Sequence, residues 1–258
     1  MFKQPEEMPK KMLDKLEEEA HVNRSQISTL SFSITGDVNS DKGIVISSDR
    51  LAEFSDTSDK YNNYEWVKRF EKELNNPNTD LRIMHDGYCH SYAAAFMSQK
   101  TPLMVIALGT MPNVSVFDIA KDGKNEKIKL YCCESFTKIK MYAEGGKCVE
   151  VCELLSKETI HNLKEKLNDD KKFYKTLSIR INAAIKEWLI AYAKQFDGQQ
   201  PHTVVFSGGN VQFLDRDILQ TDIATPIDLM LEEEQLENLF LACIDFSKKH
   251  GICDLHKC

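Results

Sequence analysis

Leu81-Arg82-Ile83-Met84-His85-Asp86-Gly87, running into Tyr88-Cys89-His90-Ser91-Tyr92-Ala93-Ala94-Ala95, is a short apolar strand that ends in a carboxylate and opens a helix of small residues. A second apolar strand, Leu103 to Leu108, follows within twenty residues and ends in Gly109-Thr110. A carboxylate at the end of a buried strand with a Gly-Thr turn nearby suits proton transfer: Asp86 is placed to accept a proton from a substrate hydroxyl. Gly109 would let backbone N–H groups approach a phosphate closely. The same residues also fit a purely structural βα unit in which Asp86 caps the helix.

Outward from this segment the pattern is mixed α/β. Upstream, Glu6 to about Val22 reads as an amphipathic helix with Met8, Met12, Leu13 and Leu16 on one face. Gln26 to Thr35 reads as a strand, Gly36-Asp37-Val38-Asn39 as a turn, and Gly43 to Ile46 as a second strand. The stretch Phe54 to Asn63 reads as a loop. Trp66, Val67, Phe70 and Leu74 repeat at helical spacing until Asn75-Asn76-Pro77-Asn78 stops them. Downstream, Asn113 to Ala120 and Lys127 to Cys132 read as a hairpin around Lys121-Asp122-Gly123-Lys124. The stretch from Gly146 to Gly198 reads as almost wholly helical, with Ile179, Ala183, Trp188, Ile190 and Tyr192 marking a long buried helix. Thr203 to Phe206 is a buried strand, and a last helix is expected over about Glu232 to Lys249. Strands alternating with helices predict an α/β fold with a mixed sheet.

Composition narrows the function classes. A chain of 258 residues with a net charge of −7 carries no general basic field for nucleic acid. No apolar run approaches a membrane span, and the start Met1-Phe2-Lys3-Gln4-Pro5 lacks a signal core, so a soluble cytoplasmic protein is expected. The eight cysteines include no CxxC pair and read as reduced thiols. His250, Cys253, His256 and Cys258 crowd the C-terminus, but their spacing fits no standard zinc motif, so no metal site is assigned there.

Ser207-Gly208-Gly209-Asn210 forms a second glycine site directly after the strand 203–206. Two glycines there let a ligand lie against the backbone, although a tight strand–helix turn would need them equally. Taken in order, the motifs resemble those of the sugar kinases of the actin-like ATPase superfold, closest to the bacterial glucokinase and ROK group. Ser33-Ile34-Thr35-Gly36-Asp37-Val38-Asn39 and then Gly43 are similar to the family's GxxGPVDxxxG hairpin. His85-Asp86-Gly87 resembles its NDA segment, and Ile106 to Thr110 the start of its second phosphate loop. Gly146-Lys147-Cys148-Val149-Glu150 with Ser156 resembles its GCxE-then-Ser segment, and Val204 to Asn210 its adenosine motif.

The resemblance implies a two-lobed actin-like (ribonuclease H-like) fold with an interlobe cleft: a truncated N-terminal α/β lobe at 1–100 and a C-terminal lobe at 101–258. It implies Asp86 as catalytic base, and sugar contacts from Gly36, Asn39, His85 and Glu150. Nucleotide or phosphate contacts fall to Gly109, Thr110, Gly208, Gly209 and Asn210. An active enzyme would need ATP and Mg²⁺. The expected partners are a small-molecule sugar and a nucleotide, not nucleic acid or membrane, with a homodimer or a protein partner left open.

The departures from the family pattern bear on activity. The family's opening DxGGT strand is not found, and the expected truncation of the first lobe follows from that. Met111-Pro112-Asn113 stands where the second phosphate loop would continue Gly-x-Gly, and Pro112 has no N–H to give. His85 replaces the usual Asn, and of the ROK zinc cysteines only Cys148 has a counterpart. These changes set a second expectation beside the first: a catalytically degenerate kinase fold that binds a ligand or a protein without turnover. A plain α/β scaffold whose glycines are only turns is the third.

Overall fold

The computed structural model describes residues 7–34, 36–39, 42–47, 63–98, 100–122, 125–142, 146–230 and 254–257. The chain divides into two compact units, Met1–Cys89 and His90–Cys258. The loop expected at 54–63 lies outside the described residues but for Asn63, as do the expected last helix and residues 250, 253 and 258 of the C-terminal tail.

The N-terminal unit begins with α1 (Met8–Ala20), which buries Met8 and Leu13. Strand β1 (Thr29–Ile34) follows, then β2 (Asp37–Asn39) and β3 (Ile44–Ser47). Residues 37–39, expected as a turn, are therefore a strand: β2 pairs antiparallel with β3, so the turn sits beyond Asn39. Gly43 holds φ +65, and a Cβ there would collide with the Val67 side chain. Helix α2 (Trp66–Leu74) buries Trp66, Phe70 and Leu74, one residue per turn of a single face. Asn75 ends it in the left-handed conformation, donating its N–H to the Glu71 carbonyl. Strand β4 (Asp80–His85) lies parallel to β1, with Ile34 opposite His85. Phe32 packs its ring against Phe70 at 4.1 Å between centroids and against Trp66 edge-on at 5.8 Å, closing this unit's core.

Helix α3 (Asp86–Ser98) starts directly from β4. The C-terminal unit is built on a six-stranded mixed sheet. Its elements in chain order are β5 (Leu103–Leu108), β6 (Pro112–Asp122) and β7 (Asn125–Cys132), then α4 (Glu134–Thr137) and the small hairpin β8 (Lys140–Tyr142) and β9 (Cys148–Glu150). Next come α5 (Val151–Leu154), α6 (Lys157–Leu167), α7 (Asp170–Gln195), β10 (Thr203–Ser207), α8 (Arg216–Gln220), β11 (Ile227–Leu229) and β12 (Asp254–Lys257). The spatial order is β11-β10-β5-β6-β7-β12. β10 runs parallel to both β5 and β11, while β5, β6 and β7 form an antiparallel meander.

Every residue of β5 and β10 is buried, as a strand covered on both faces requires. On one face, Met104, Ile106, Leu108, Val204 and Phe206 share a core with α7, which contributes Phe173, Leu177, Ile181, Ala184, Ile185, Trp188 and Tyr192. The Trp188 indole N–H is satisfied by the Phe136 carbonyl at 2.9 Å. On the other, the small buried residues Ala93 to Ala95 let α3 approach closely, Tyr92 meets Phe117 edge-on at 5.4 Å, and Ser91 shares a buried hydrogen bond with Ser115. Two expectations for 146–198 change. Residues 148–150 are strand rather than helix, and Ile179 and Ile190 lie on the solvent side of α7, about half exposed. The apolar face of α7 runs through Phe173, Leu177, Ile181 and Trp188 instead. No helix among the described residues is long and apolar enough to cross a membrane.

Candidate functional site

Two glycine turns meet at the carboxyl ends of β5 and β10. The strands are parallel neighbours in register, Leu103 opposite Thr203 through Ala107 opposite Ser207, so they end side by side. β5 ends in Gly109-Thr110-Met111, and β10 in Gly208-Gly209-Asn210 before a single 3₁₀ turn, Val211–Phe213. Gly208 has φ +93, and a Cβ on it would stand 2.9 Å from the Leu108 carbonyl oxygen. Both the conformation and the close approach require glycine there. Asn210 then ties the turns together: its backbone N–H donates to the Leu108 carbonyl at 3.3 Å and its side-chain amide to the Gly109 carbonyl at 3.1 Å.

Gly109 and Gly209 are different. A Cβ on Gly109 would meet only the Met111 carbonyl oxygen at 3.9 Å, and one on Gly209 would meet nothing within 4 Å. The fold itself does not need glycine at either. Among the described residues, the N–H groups of Gly109, Thr110 and Met111 make no hydrogen bond. Pro112 does not interrupt this turn. It is the first residue of β6, buried opposite Leu108, a strand start where a missing N–H is tolerated. It does limit the turn to three amides.

These turns form one wall of a pocket of about 920 Å³, whose lining includes Gly109, Thr110, Gly209 and Asn210. α6, α7 and the 3₁₀ turn supply the rest of its lining. Ser156 caps α6 by accepting the Thr159 N–H at 3.2 Å, and the Lys157 N–H donates to the Thr110 carbonyl at 2.8 Å. The start of α6 is thereby fixed to the first glycine turn. Asn168, left-handed, ends α6, and Asp169 at once caps α7 through the Lys172 N–H, so this two-residue link also lines the pocket. Phe213 and Phe173 pack edge-on at 5.6 Å, with Tyr174 stacked on Phe213 at 6.0 Å. The Lys164 ammonium lies 5.0 Å from the Phe213 ring centre and 3.7 Å from the Asp170 carboxylate. His161 faces Glu165 at 3.2 Å.

The other sequence-derived residues fall in two places. In the N-terminal unit, His85 is the last residue of β4 and Asp86 the first of α3, and the structure describes Asp86 by its backbone alone. Gly36, with φ +121, lies two residues beyond Ile34, the β1 partner of His85. Asn39 closes β2, where its side chain accepts the Lys42 N–H at 3.0 Å. His85 and Asp86 thus stand at the carboxyl end of β4, and Gly36 just past the carboxyl end of its neighbour β1. In the C-terminal unit, Glu150 ends β9, and its carboxylate accepts from the Cys152 thiol at 3.5 Å. Burial, and then the Glu150 carboxylate, raise the Cys152 thiol above the usual range.

Sequence reading missed Lys157, Lys164, Phe173 and Phe213. The capping pairs Ser156-Thr159 and Asp169-Lys172 announce two helix starts within the stretch that reads as continuous helix, and they could have located the α6–α7 link. What the link faces is set by packing.

No family model matches the chain, and no curated protein matches it by sequence. Solved structures do. A ROK family protein from Streptococcus pneumoniae TIGR4, in complex with sucrose, superposes with a TM-score of 0.63 at 14% identity, covering 96% of this chain and 88% of that one. A ROK family glucokinase from Streptomyces griseus, in complex with glucose and AMPPNP, gives 0.62 at 9% identity, over 95% and 89% of the two chains. An inorganic polyphosphate/ATP-glucomannokinase from Arthrobacter sp. strain KM gives 0.57 at 15% identity, over 96% and 85%. The chain therefore has the mixed α/β fold of these ROK-family structures.

Proposed function

We propose that the chain is a sugar-kinase-like protein whose C-terminal unit holds an adenine nucleotide in the pocket at the ends of β5 and β10. One observation carries the reading. Two glycine turns, joined by the Asn210 hydrogen bond to Gly109 across 101 residues of sequence, line a single pocket. Ligands of α/β sheets bind at such carboxyl ends. The amides of Gly109, Thr110 and Met111 are available as phosphate donors. Gly208, Gly209 and Asn210 face the nucleoside in this reading, with Phe213 as the aromatic wall. No group of three or more His, Cys, Asp or Glu side chains among the described residues could hold a metal ion. Mg²⁺ would enter with the triphosphate, whose charge it neutralises.

The reaction assigned is phosphorylation of a hexose or amino sugar. Asp86 takes the proton of the sugar hydroxyl, the hydroxyl oxygen bonds to the terminal phosphorus of ATP, and the bond from that phosphorus to ADP breaks. The position of Asp86 at the junction of β4 and α3, next to His85 and with Gly36 just past the end of the neighbouring β1, supports it. Glu150 completes the sugar contacts by resemblance. A second reading, binding without fast turnover, is favoured by Pro112, which leaves only three amides in the phosphate turn. One preorganised donor to a transferring group contributes about 3 kcal/mol, or two to three decades in rate.

Calorimetry with ATP–Mg²⁺, adenosine and a hexose panel, beside a coupled ADP-release assay of the wild type and Asp86→Asn, tests both readings. Saturable nucleotide binding is expected, with turnover well below roughly 1–100 per second. Turnover within that range and lost in Asp86→Asn establishes the kinase and removes the second reading. Absence of both binding and turnover overturns the nucleotide assignment and leaves a scaffold.

A further inference from the structure

We propose that Lys157 supplies the positive charge that holds the phosphate chain of the nucleotide in this pocket, an inference that rests on the nucleotide reading above. A triphosphate needs charge as well as N–H donors. The glycine turn offers three neutral amides, and Pro112 prevents the fourth residue from adding another. Mg²⁺ offsets part of the triphosphate's charge, and a cationic side chain beside the turn would offset more.

Three cationic or titratable bases line the pocket: Lys157, His161 and Lys164. Two of them are already committed. Lys164 is paired with Asp170 at 3.7 Å and lies over the rings of Phe213 and Phe173, at 5.0 and 5.8 Å. His161 faces Glu165 at 3.2 Å. The Lys157 side chain has no ion pair and no hydrogen bond among the described residues. Its backbone is nevertheless held in place, because its N–H donates to the Thr110 carbonyl at 2.8 Å. A flexible four-carbon stem is thus anchored beside the phosphate turn with its ammonium free, the way a lysine serves as a point charge for phosphate.

The helix start adds to this. In the first turn of the eleven-residue α6, the Lys157 and Thr159 amides are bound to the Thr110 carbonyl and the Ser156 hydroxyl, whereas the Glu158 amide makes no hydrogen bond among the described residues. It points with the positive end of the helix dipole. Two of the acids that line the pocket are already matched, Asp169 by Lys172 and Asp170 by Lys164.

The test is titration calorimetry of the full chain with ATP–Mg²⁺, ADP, AMP and adenosine, for the wild type, Lys157→Met and Lys157→Arg. Lys157 is exposed, so both variants should keep the wild-type melting temperature without ligand, which is checked first. The expected result is a loss of about tenfold or more in ATP affinity in Lys157→Met. The loss should shrink from ATP to AMP and vanish for adenosine, and Lys157→Arg should retain most of the affinity. The salt dependence of ATP binding should also be shallower in Lys157→Met. Equal losses for ATP and adenosine, or an unchanged ATP affinity, would overturn the role of Lys157 and leave the nucleotide reading standing. A wild type that binds none of the four ligands overturns the nucleotide reading, and this inference falls with it.

Discussion

Asn210 donates its side-chain amide to the Gly109 carbonyl at 3.1 Å and its backbone N–H to the Leu108 carbonyl at 3.3 Å, so one residue locks the turn after β10 onto the turn after β5. The side-chain bond is solvent-exposed, so its loss should cost little stability and mostly free the Gly109 peptide to rotate. Asn210→Ala should lower unfolding stability by about 1 kcal/mol or less. ATP affinity should fall several-fold, since the amides would no longer be preorganised. Urea unfolding and calorimetry read the two effects, and unchanged affinity would separate Asn210 from the ligand.

The two adjacent glycines should behave in opposite ways. Gly208→Ala puts a methyl group 2.9 Å from the Leu108 carbonyl oxygen in a backbone conformation that L-residues avoid, and the neighbour it meets is backbone rather than a flexible side chain. A loss of about 1–3 kcal/mol is expected. Gly209→Ala meets no atom within 4 Å and should melt as the wild type does, while the added methyl group intrudes on the pocket that Gly209 lines. Thermal melts of the apo proteins followed by nucleotide titration make the comparison; an equally destabilised Gly209→Ala would contradict the turn geometry.

Tyr192 ties the core to alkaline pH. Burial, with the Asp118 carboxylate as the next contributor, pushes its hydroxyl well above the ordinary tyrosine range. The folded state therefore holds the proton more tightly than the unfolded state. This contribution is fully present below about pH 10, where an unfolded tyrosine titrates, and is lost as pH rises beyond it. Stability measured by urea unfolding should fall from about pH 10 upward, and less steeply in Tyr192→Phe. Identical slopes would mean that Tyr192 ionises in the folded protein as freely as in the unfolded one.

Cys148 is exposed, whereas Cys152 is half-buried with its thiol raised by burial and by the Glu150 carboxylate. Only the thiolate is the nucleophile. Alkylation followed by mass spectrometry at mildly alkaline pH should modify Cys148 first, and Glu150→Gln should speed labelling of Cys152. If Cys152 reacts as fast as Cys148 in the wild type, the Glu150 contact is not holding its proton in solution.

β5 was legible as an unbroken apolar run stopped by glycine, and β10 by the apolar run Val204 to Phe206 ahead of Ser207 and two glycines, the pattern that fits a strand covered on both faces. The motif order 36–39, 85–86, 109–110 and 208–210 likewise sufficed to place the chain in the sugar-kinase fold. Local patterns failed where a residue's state depends on what pairs with it or covers it. Residues 37–39 look like a turn until β3 pairs with them, and residues 148–150 look helical until β8 does. Ile179 and Ile190 look like core because they are apolar, yet they lie half exposed on the solvent side of α7. Periodicity tells which residues of a helix share a face, but the partner that covers that face is chosen by the whole fold.

The same holds for the pocket. Two glycine turns separated by a hundred residues become neighbours only because β5 and β10 pair in parallel and in register. The capping pair Ser156-Thr159 marks the helix start at Lys157, but a backbone hydrogen bond to Thr110 is what puts Lys157 beside them. Backbone chemistry that depends on one residue, such as the left-handed Gly208, is written in the sequence, whereas charge placed beside a turn by helix packing is decided only by the tertiary structure.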